Sequence, residues 1–302
     1  MRLRVTGLTI AAACLALVAG CSSSSPSGSA SASASPSIGH GTGKVSILYA
    51  GSLVNVMEKS VGPAFASATG YTYEGQGAGA SALANEIKAK TVRGDVFISA
   101  SPKVDATLEG SANGDWVDWY STFGTSALVL AYNPQSKFAS DFKTQPWYKV
   151  LAEPGIKIGR TDPVLDPKGQ LTVAALTQAQ TTFNDPTLLS TVEASSQVFP
   201  EEELVGRLQS GQLDAGFFYT VEATAADLHT VSLQLPTEKA TFTVTVLNKG
   251  ANTAGGIAFV QYLLGAQGRA KLAAAGMTLT PAATLSGPSA DVPSQLRSLV
   301  GG

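Results

Sequence analysis

Cysteine, histidine and charge are all scarce in this chain of 302 residues. Only two cysteines are present, and Cys14 lies in a segment predicted to be removed, so no disulfide within the mature chain is expected. The two histidines, His40 and His229, do not form the cluster that a metal site or a Ser-His-Asp triad needs. Charged residues make up 14% of the chain, the net charge is −2 and no basic cluster exists, which argues against nucleic-acid binding.

The N-terminus has the pattern of a secretory signal peptide covering residues 1–20. A basic start is followed by the apolar run Leu8–Val18 and then by small residues. The sequence Val18-Ala19-Gly20-Cys21 resembles the bacterial lipobox, which implies that Cys21 is lipidated and anchors the protein to the extracytoplasmic side of the cell membrane. Residues 21–43 are almost wholly Ser, Ala, Pro and Gly, which predicts a disordered tether. No later segment is long and apolar enough to cross a bilayer.

Two corners of small residues mark the next part of the chain. The apolar run Val45–Tyr49 leads into the first corner, Ala50-Gly51-Ser52-Leu53, and the second corner, Gly79-Ala80-Ser81, has the same small residues before a serine. Each corner predicts a strand, a tight turn and a helix start, with Ser52 as a natural N-cap. Because a helix start at the carboxyl edge of a sheet favours anions, Ser52 and Ser81 are candidate ligands of a small oxyanion. A simple helix cap is the alternative interpretation of either serine.

The second half of the chain contains further candidate residues. The strand Ile156–Arg160 runs into an Asp-, Pro- and Gly-rich loop that ends at Lys168-Gly169. Lys168 could bring charge to the site, be solvated, or pair with Asp162. The acidic run 201–203 begins a helix, and its carboxylates are expected to face solvent because they would repel an anion.

Three stretches together carry a resemblance to a known family. Leu48–Leu53, Gly79-Ala80-Ser81 and Gly94–Ser101 resemble the periplasmic molybdate- and tungstate-binding proteins of ABC importers. The resemblance extends from about residue 44 to residue 279. It implies an α/β, two-lobed periplasmic-binding-protein fold of type II, in which each lobe is a mixed sheet flanked by helices and the ligand cleft lies between the lobes. The implied lobes are residues 44–126 with 237–302, and residues 127–236.

The same resemblance implies the ligand contacts. The hydroxyl groups come from Ser52, Ser81 and Tyr219, and the backbone N–H groups come from the region of Lys168, Gly169 and Glu201. Tungstate-type members add an Asp and a Glu that complete an octahedral shell around the metal. Here Asp166 or Asp162 supplies the Asp, but Phe218 stands at the position assigned to the Glu, and Glu222 would need a different approach. A tetrahedral oxyanion held by donors alone is therefore expected.

The predicted function is that of a substrate-binding lipoprotein that captures molybdate or tungstate for an ABC importer. The expected partners are the oxyanion, a permease and the membrane, and the chain is expected to be a monomer without cofactor, free metal cation or enzymatic activity. A site made only of donors would reject phosphate, whose proton needs an acceptor. Sulfate, thiosulfate or another small solute remains open as cargo. A secreted serine hydrolase is less favoured, because neither candidate serine lies in a G-x-S-x-G sequence.

Overall fold

The computed structural model describes residues 38–235 and 239–301. The predicted signal peptide, the lipidation site Cys21 and the tether up to residue 37 lie outside the described residues. Within them, no helix combines the length and the apolar character that crossing a membrane requires.

Strands and helices alternate along most of the described chain. The strands are β1 Lys44–Ala50, β2 Thr72–Ala78, β3 Val96–Ser99, β4 Tyr120–Tyr132, β5 Ile158–Arg160, β6 Ser196–Val198, β7 Ala215–Tyr219, β8 His229–Ser232, β9 Lys239–Val246 and β10 Thr278–Ser286. The α-helices are α1 Val54–Val56, α2 Gly62–Thr69, α3 Ala80–Ala89, α4 Pro102–Ala106, α5 Asp141–Thr144, α6 Trp147–Val150, α7 Pro167–Thr182, α8 Leu188–Ser195, α9 Leu204–Gln209, α10 Thr220–Ala225, α11 Thr253–Leu264 and α12 Ala266–Ala274. Short 3₁₀ turns cover Gly51–Leu53, Ser111–Asn113 and Glu201–Glu203, and a π-helical turn covers Met57–Val61.

The strands form two mixed sheets that share β4. In the first sheet the order is β2-β1-β3-β9-β4, and β10 also pairs with β4. In the second sheet the order is β4-β7-β5-β6, and β8 also pairs with β4. The pairs β1–β2, β1–β3, β5–β6 and β5–β7 are parallel, whereas every pair that involves β4 is antiparallel.

Strand β4 has 13 residues, which is long enough for it to belong to both sheets, and residues 127–132 at its C-terminal end form a continuous apolar run. Ser121–Ala127 pair with β9, whereas Leu128–Tyr132 pair with β7. Strand β4 therefore crosses from the first sheet to the second between Ala127 and Leu128. This arrangement directs the carboxyl ends of β1 and β2 in one sheet, and of β5 and β7 in the other, into loops that meet.

The folded part of the chain begins before the first strand. The Gly39 N–H donates to Gln261 Oε1 at 3.1 Å, and the Gly41 N–H donates to the Thr69 carbonyl at 3.1 Å. Ile38 packs against the hydrophobic core. Residues 38–43, which composition assigns to the tether, thus contact the domain through backbone and apolar groups that a count of small residues does not register.

A buried acid outside the strand-end loops gives the fold a pH dependence. Asp105 on α4 is fully buried and accepts a hydrogen bond from Thr243 Oγ1 at 2.6 Å, and burial raises its pKa to about 7. The folded chain therefore keeps a proton that the unfolded chain releases near pH 4, so stability falls as the pH rises from 4 towards 7. Wild type is expected to lose about 2–3 kcal/mol between pH 5 and pH 8 relative to Asp105→Asn. Urea denaturation of both proteins at the two pH values measures the difference, and parallel pH profiles would contradict the prediction.

Candidate functional site

The corner after β1 buries a serine hydroxyl that makes no hydrogen bond to the described residues. Ser52 is 1% exposed, and its Oγ has no hydrogen-bond partner among the described residues. The prediction that Ser52 caps the helix is wrong, because the N-cap of the 3₁₀ turn is Ala50 and Ser52 lies inside the turn. A Cβ on Gly51 would lie 3.0 Å from both Cβ and Oε2 of Glu201, so this corner is in close contact with the second sheet's loops.

The corner after β2 makes a similar contact. The Ala82 N–H donates to the Leu165 carbonyl at 3.0 Å, which joins the start of α3 to the loop between β5 and α7. A Cβ on Gly79 would lie 2.6 Å from the same carbonyl oxygen, so only glycine allows this approach. Ser81 stands in the first turn of α3, half-buried beside this contact.

The loop between β5 and α7 contains the two candidate aspartates, Asp162 and Asp166, and their carboxylates have different surroundings. Asp162 Oδ1 accepts the N–H groups of Val164 and Leu165 at 2.7 and 3.3 Å, so this carboxylate organises the loop. Asp166 is 2% exposed and caps α7 by accepting the Lys168 N–H through Oδ1 at 2.9 Å. Its other oxygen, Oδ2, is buried without a hydrogen-bond partner in the part of the chain described. Of the two aspartates, Asp166 is thus the one with a buried, unpartnered oxygen among the described residues.

Two backbone groups differ from the expectation. The Lys168 N–H, predicted to face an anion, is donated to Asp166. Gly169 packs against the backbone of Asp162 and Pro163, where a Cβ would come within 2.7 Å of the chain. Close packing of α7 on its own entry loop therefore accounts for this glycine.

The Lys168 side chain is fully buried and forms the centre of an ionic cluster. Its Nζ lies 2.9 and 3.2 Å from the two carboxylate oxygens of Glu222 and 3.3 Å from Glu201 Oε1. Of the environments considered from the sequence, neither solvation nor pairing with Asp162 is present. Glu222, whose role the sequence left open, is the counter-ion of this lysine.

The direction of the Glu201 side chain is opposite to the prediction. Glu202 and Glu203 are exposed, but Glu201 is 1% exposed and lies between Gly51 and Lys168. The ammonium group of Lys168 compensates part of the charge that was expected to drive this carboxylate into solvent. Glu201 therefore brings a carboxylate to the site, where only its backbone N–H was predicted.

Tyr219 ends β7 and is completely buried. Its N–H donates to Glu222 Oε2 at 3.3 Å, and its ring centroid lies 5.7 Å from Lys168 Nζ. Phe218 packs instead with Leu204, Leu208 and other apolar residues in a separate cluster. Its ring centroid lies 5.5 Å from Lys168 Nζ, so an aromatic ring and not a carboxylate stands at position 218. Glu201, beside Lys168 and Gly51, is a further carboxylate of this region.

Burial and mutual repulsion shift the titration of this cluster. Burial, together with the Glu201 carboxylate, raises the pKa of Asp166 well above its ordinary value, and the Lys168 ammonium only partly opposes this. Burial also raises the pKa of Glu222 to about 7, again opposed by Lys168. Burial lowers the pKa of Lys168, but the surrounding carboxylates outweigh it and raise the pKa overall. Lys168 is therefore expected to stay charged, and its ammonium group contacts the carboxylates of Glu222 and Glu201.

The structure thus brings together most of the residues predicted for the site. Ser52, Asp166, Lys168, Glu201 and Tyr219 are all buried where the loops of the two sheets meet, and Ser81 lies at the edge of this contact. The sequence pattern indicated neither the inward carboxylate of Glu201 nor the buried Thr161. The position of Glu222 could have been predicted, because an acidic residue three positions after a strand end is expected in the first turn of the following helix.

Comparison with known proteins identifies the family. The sequence model of the family described as bacterial extracellular solute-binding protein matches residues 45–278. A protein of Haloferax volcanii named "Putative ABC transporter molybdenum-binding protein" is 32% identical over 185 residues, which are 61% of this chain and 57% of that protein. The molybdate/tungstate-binding protein WtpA of Thermococcus kodakarensis is 24% identical over 207 residues, 51% of this chain and 58% of that protein. This chain therefore spans less than two thirds of the length of either relative.

The fold is shared with solved structures. The periplasmic molybdate-binding protein of Azotobacter vinelandii superimposes with a TM-score of 0.62 at 20% identity, covering 78% of this chain and 99% of that one. This match confirms the two-lobed, type II periplasmic-binding-protein fold that the resemblance implied. The family consists of solute-binding proteins rather than enzymes, so the prediction against a serine hydrolase is also confirmed. The chain belongs to the bacterial extracellular solute-binding proteins.

Proposed function

We propose that this protein captures molybdate or tungstate between its two lobes and delivers the oxyanion to an ABC importer. The observation that carries the proposal is the meeting of unpartnered buried oxygens where the loops join. Ser52 Oγ, Asp166 Oδ2 and Glu201 Oε2 are inaccessible, and none has a hydrogen-bond partner within residues 38–235 and 239–301. Leaving such groups unpaired costs about 1–3 kcal/mol each, more for charged groups, so a bound ligand that uses them accounts for their presence.

Hydroxyl donors and carboxylates together suit these oxyanions better than donors alone. The hydroxyls of Ser52, Ser81 and Tyr219 would donate to the four oxygens of the anion. Molybdenum and tungsten in their highest oxidation state extend their shell from four to six oxygen ligands, whereas sulfur in sulfate and phosphorus in phosphate do not. Asp166 and Glu201 would supply the fifth and sixth oxygens. The Lys168 ammonium offsets part of the negative charge that this arrangement gathers.

The carboxylates also change the argument about phosphate. A site made only of donors would reject phosphate for want of an acceptor, but Asp166 and Glu201 are acceptors. Rejection of phosphate and sulfate must then come from their inability to bond two further oxygens. The names of the Haloferax volcanii and Thermococcus kodakarensis relatives, which refer to molybdenum and to molybdate/tungstate, support this choice of ligand.

Calorimetric titration with molybdate, tungstate, sulfate, thiosulfate and phosphate tests the proposal. Molybdate or tungstate is expected to bind with a Kd of about 1 µM or tighter, equivalent to about −8 kcal/mol, and phosphate is expected not to bind. X-ray absorption at the metal edge of the complex should then report six oxygen neighbours. Preferential binding of phosphate or sulfate would contradict the proposed ligand, and four-coordinate molybdate would contradict the role of the two carboxylates.

We also propose the cellular arrangement that the N-terminal sequence indicates. Cys21 would carry the lipid anchor, and the Ser/Ala-rich tether would hold a monomeric domain within reach of a permease on the extracytoplasmic face. The extracellular character of the family supports this location. Mass spectrometry of the membrane-extracted protein tests it, since a diacylated N-terminal Cys21 is expected and an unmodified chain would contradict the anchor.

A further inference from the structure

Glu222 differs from the other two carboxylates of the site in having both oxygens occupied. Oε1 accepts from Lys168 Nζ at 3.2 Å, and Oε2 accepts from the same Nζ at 2.9 Å and from the Tyr219 N–H at 3.3 Å. Asp166 and Glu201 each keep an oxygen without such a partner. Glu222 therefore has no oxygen left for a ligand, and any influence it has on binding passes through the groups it holds.

The group that Glu222 holds is the buried ammonium of Lys168. This ammonium also lies 3.3 Å from Glu201 Oε1 and between 5.5 and 5.7 Å from the ring centroids of Phe218 and Tyr219. To donate to an anion in the site, Lys168 would have to leave the two-oxygen contact with Glu222 inside a region without solvent. Without Glu222, the nearest carboxylate left for Lys168 would be Glu201.

We propose that Glu222 is a specificity-determining residue, which holds Lys168 away from the anion and leaves Glu201 available as a ligand. This proposal rests on the oxyanion site proposed above. Sulfate and molybdate have the same charge and the same tetrahedral shape, so a nearby ammonium attracts both. They differ in whether the central atom accepts a carboxylate oxygen. A lysine that pairs fully with Glu201 would remove a ligand that only molybdate or tungstate uses, and a lysine that turns into the site would add a donor that sulfate uses.

The test is the ratio of the sulfate Kd to the molybdate Kd in Glu222→Gln, measured by calorimetry at one pH and salt concentration. The ratio cancels the general gain in affinity that follows from removing one negative charge, because both anions are divalent. We expect the ratio to fall at least tenfold relative to wild type. Glu203→Gln is the matched control, since it removes the same charge from an exposed side chain that pairs with Arg207, and its ratio should not change.

A double variant shows whether Lys168 carries the effect. In Lys168→Met with Glu222→Gln the ion pair is replaced by neutral groups of similar size, so the gain in sulfate affinity should disappear. If that gain persists, or if both anions change by the same factor in Glu222→Gln, the proposal is overturned. If Glu222→Gln does not fold, Glu222→Asp replaces it, with an expected fall of about threefold, and an unchanged ratio overturns the proposal. Wild type that binds neither molybdate nor tungstate would instead remove the proposed function, and this inference with it.

Discussion

Replacing Lys168 with methionine is expected to lower the free energy of unfolding of the ligand-free protein by about 3–5 kcal/mol. Methionine has a similar length and leaves no large cavity, so the loss comes from charge. Glu222 and Glu201 would remain buried at 2% and 1% exposure without the ammonium that now lies 2.9 and 3.3 Å from them. Urea denaturation followed by circular dichroism measures the change.

Two controls separate lost charge from lost packing. Lys143→Met changes an exposed lysine on α5 and should alter the stability by less than about 0.5 kcal/mol. Adding Glu222→Gln to Lys168→Met removes the main unpaired charge and should recover more than half of the loss. A double variant as unstable as the single one would show that the lysine stabilises the fold by packing and not by pairing.

The parts of this protein that could be predicted from sequence are those set by local pattern. The small residues of the corner after β1 follow an apolar run, and that order predicts a strand followed by a helix start. The corner after β2 was predicted from its small residues, because β2 itself is mostly polar. The apolar run at residues 127–132 of β4 is likewise local. The assignment of Tyr219 to the site came from the family resemblance and not from a local pattern.

The Glu201 side chain could not be placed in this way. The 3₁₀ turn Glu201–Glu203 consists of three glutamates, but only Glu201 is buried. What separates them is the approach of Gly51 from the other sheet and of Lys168 from α7, both far away along the chain. On an isolated helix all three carboxylates would face solvent, but here the buried Lys168 ammonium lies 3.3 Å from Glu201 Oε1 and offsets its charge.

The assignment of Ser52 as a helix cap failed for a related reason. A cap would use its hydroxyl on the backbone of its own helix, but the turn begins two residues earlier than a Ser52 cap requires, at Gly51 with Ala50 as N-cap. The hydroxyl is then left over inside a closed contact. That difference favours ligand binding over capping as the role of this serine.

Replacing Ser52 with alanine and Tyr219 with phenylalanine together is expected to weaken molybdate or tungstate binding at least 100-fold while the fold survives. Hydrogen bonds to a charged ligand are worth about 1.5–3 kcal/mol each, so two lost donors cost about 3–6 kcal/mol. Neither change removes apolar packing, because the alanine methyl and the phenyl ring occupy the same space. Titration calorimetry of the double variant measures the affinity.

Stability and affinity should move in different directions at Ser52, which distinguishes a ligand group from a structural one. Because Ser52 Oγ is buried without a hydrogen-bond partner among the described residues, Ser52→Ala alone should leave the ligand-free protein as stable as wild type or more so. The matched control is Ser111→Ala with Tyr148→Phe, a serine and a tyrosine on other elements, which should keep the wild-type affinity. Ser52→Ala that destabilises the ligand-free fold but binds molybdate and tungstate as tightly as wild type would assign the hydroxyl to structure, because a donor to the oxyanion must lower affinity when it is removed.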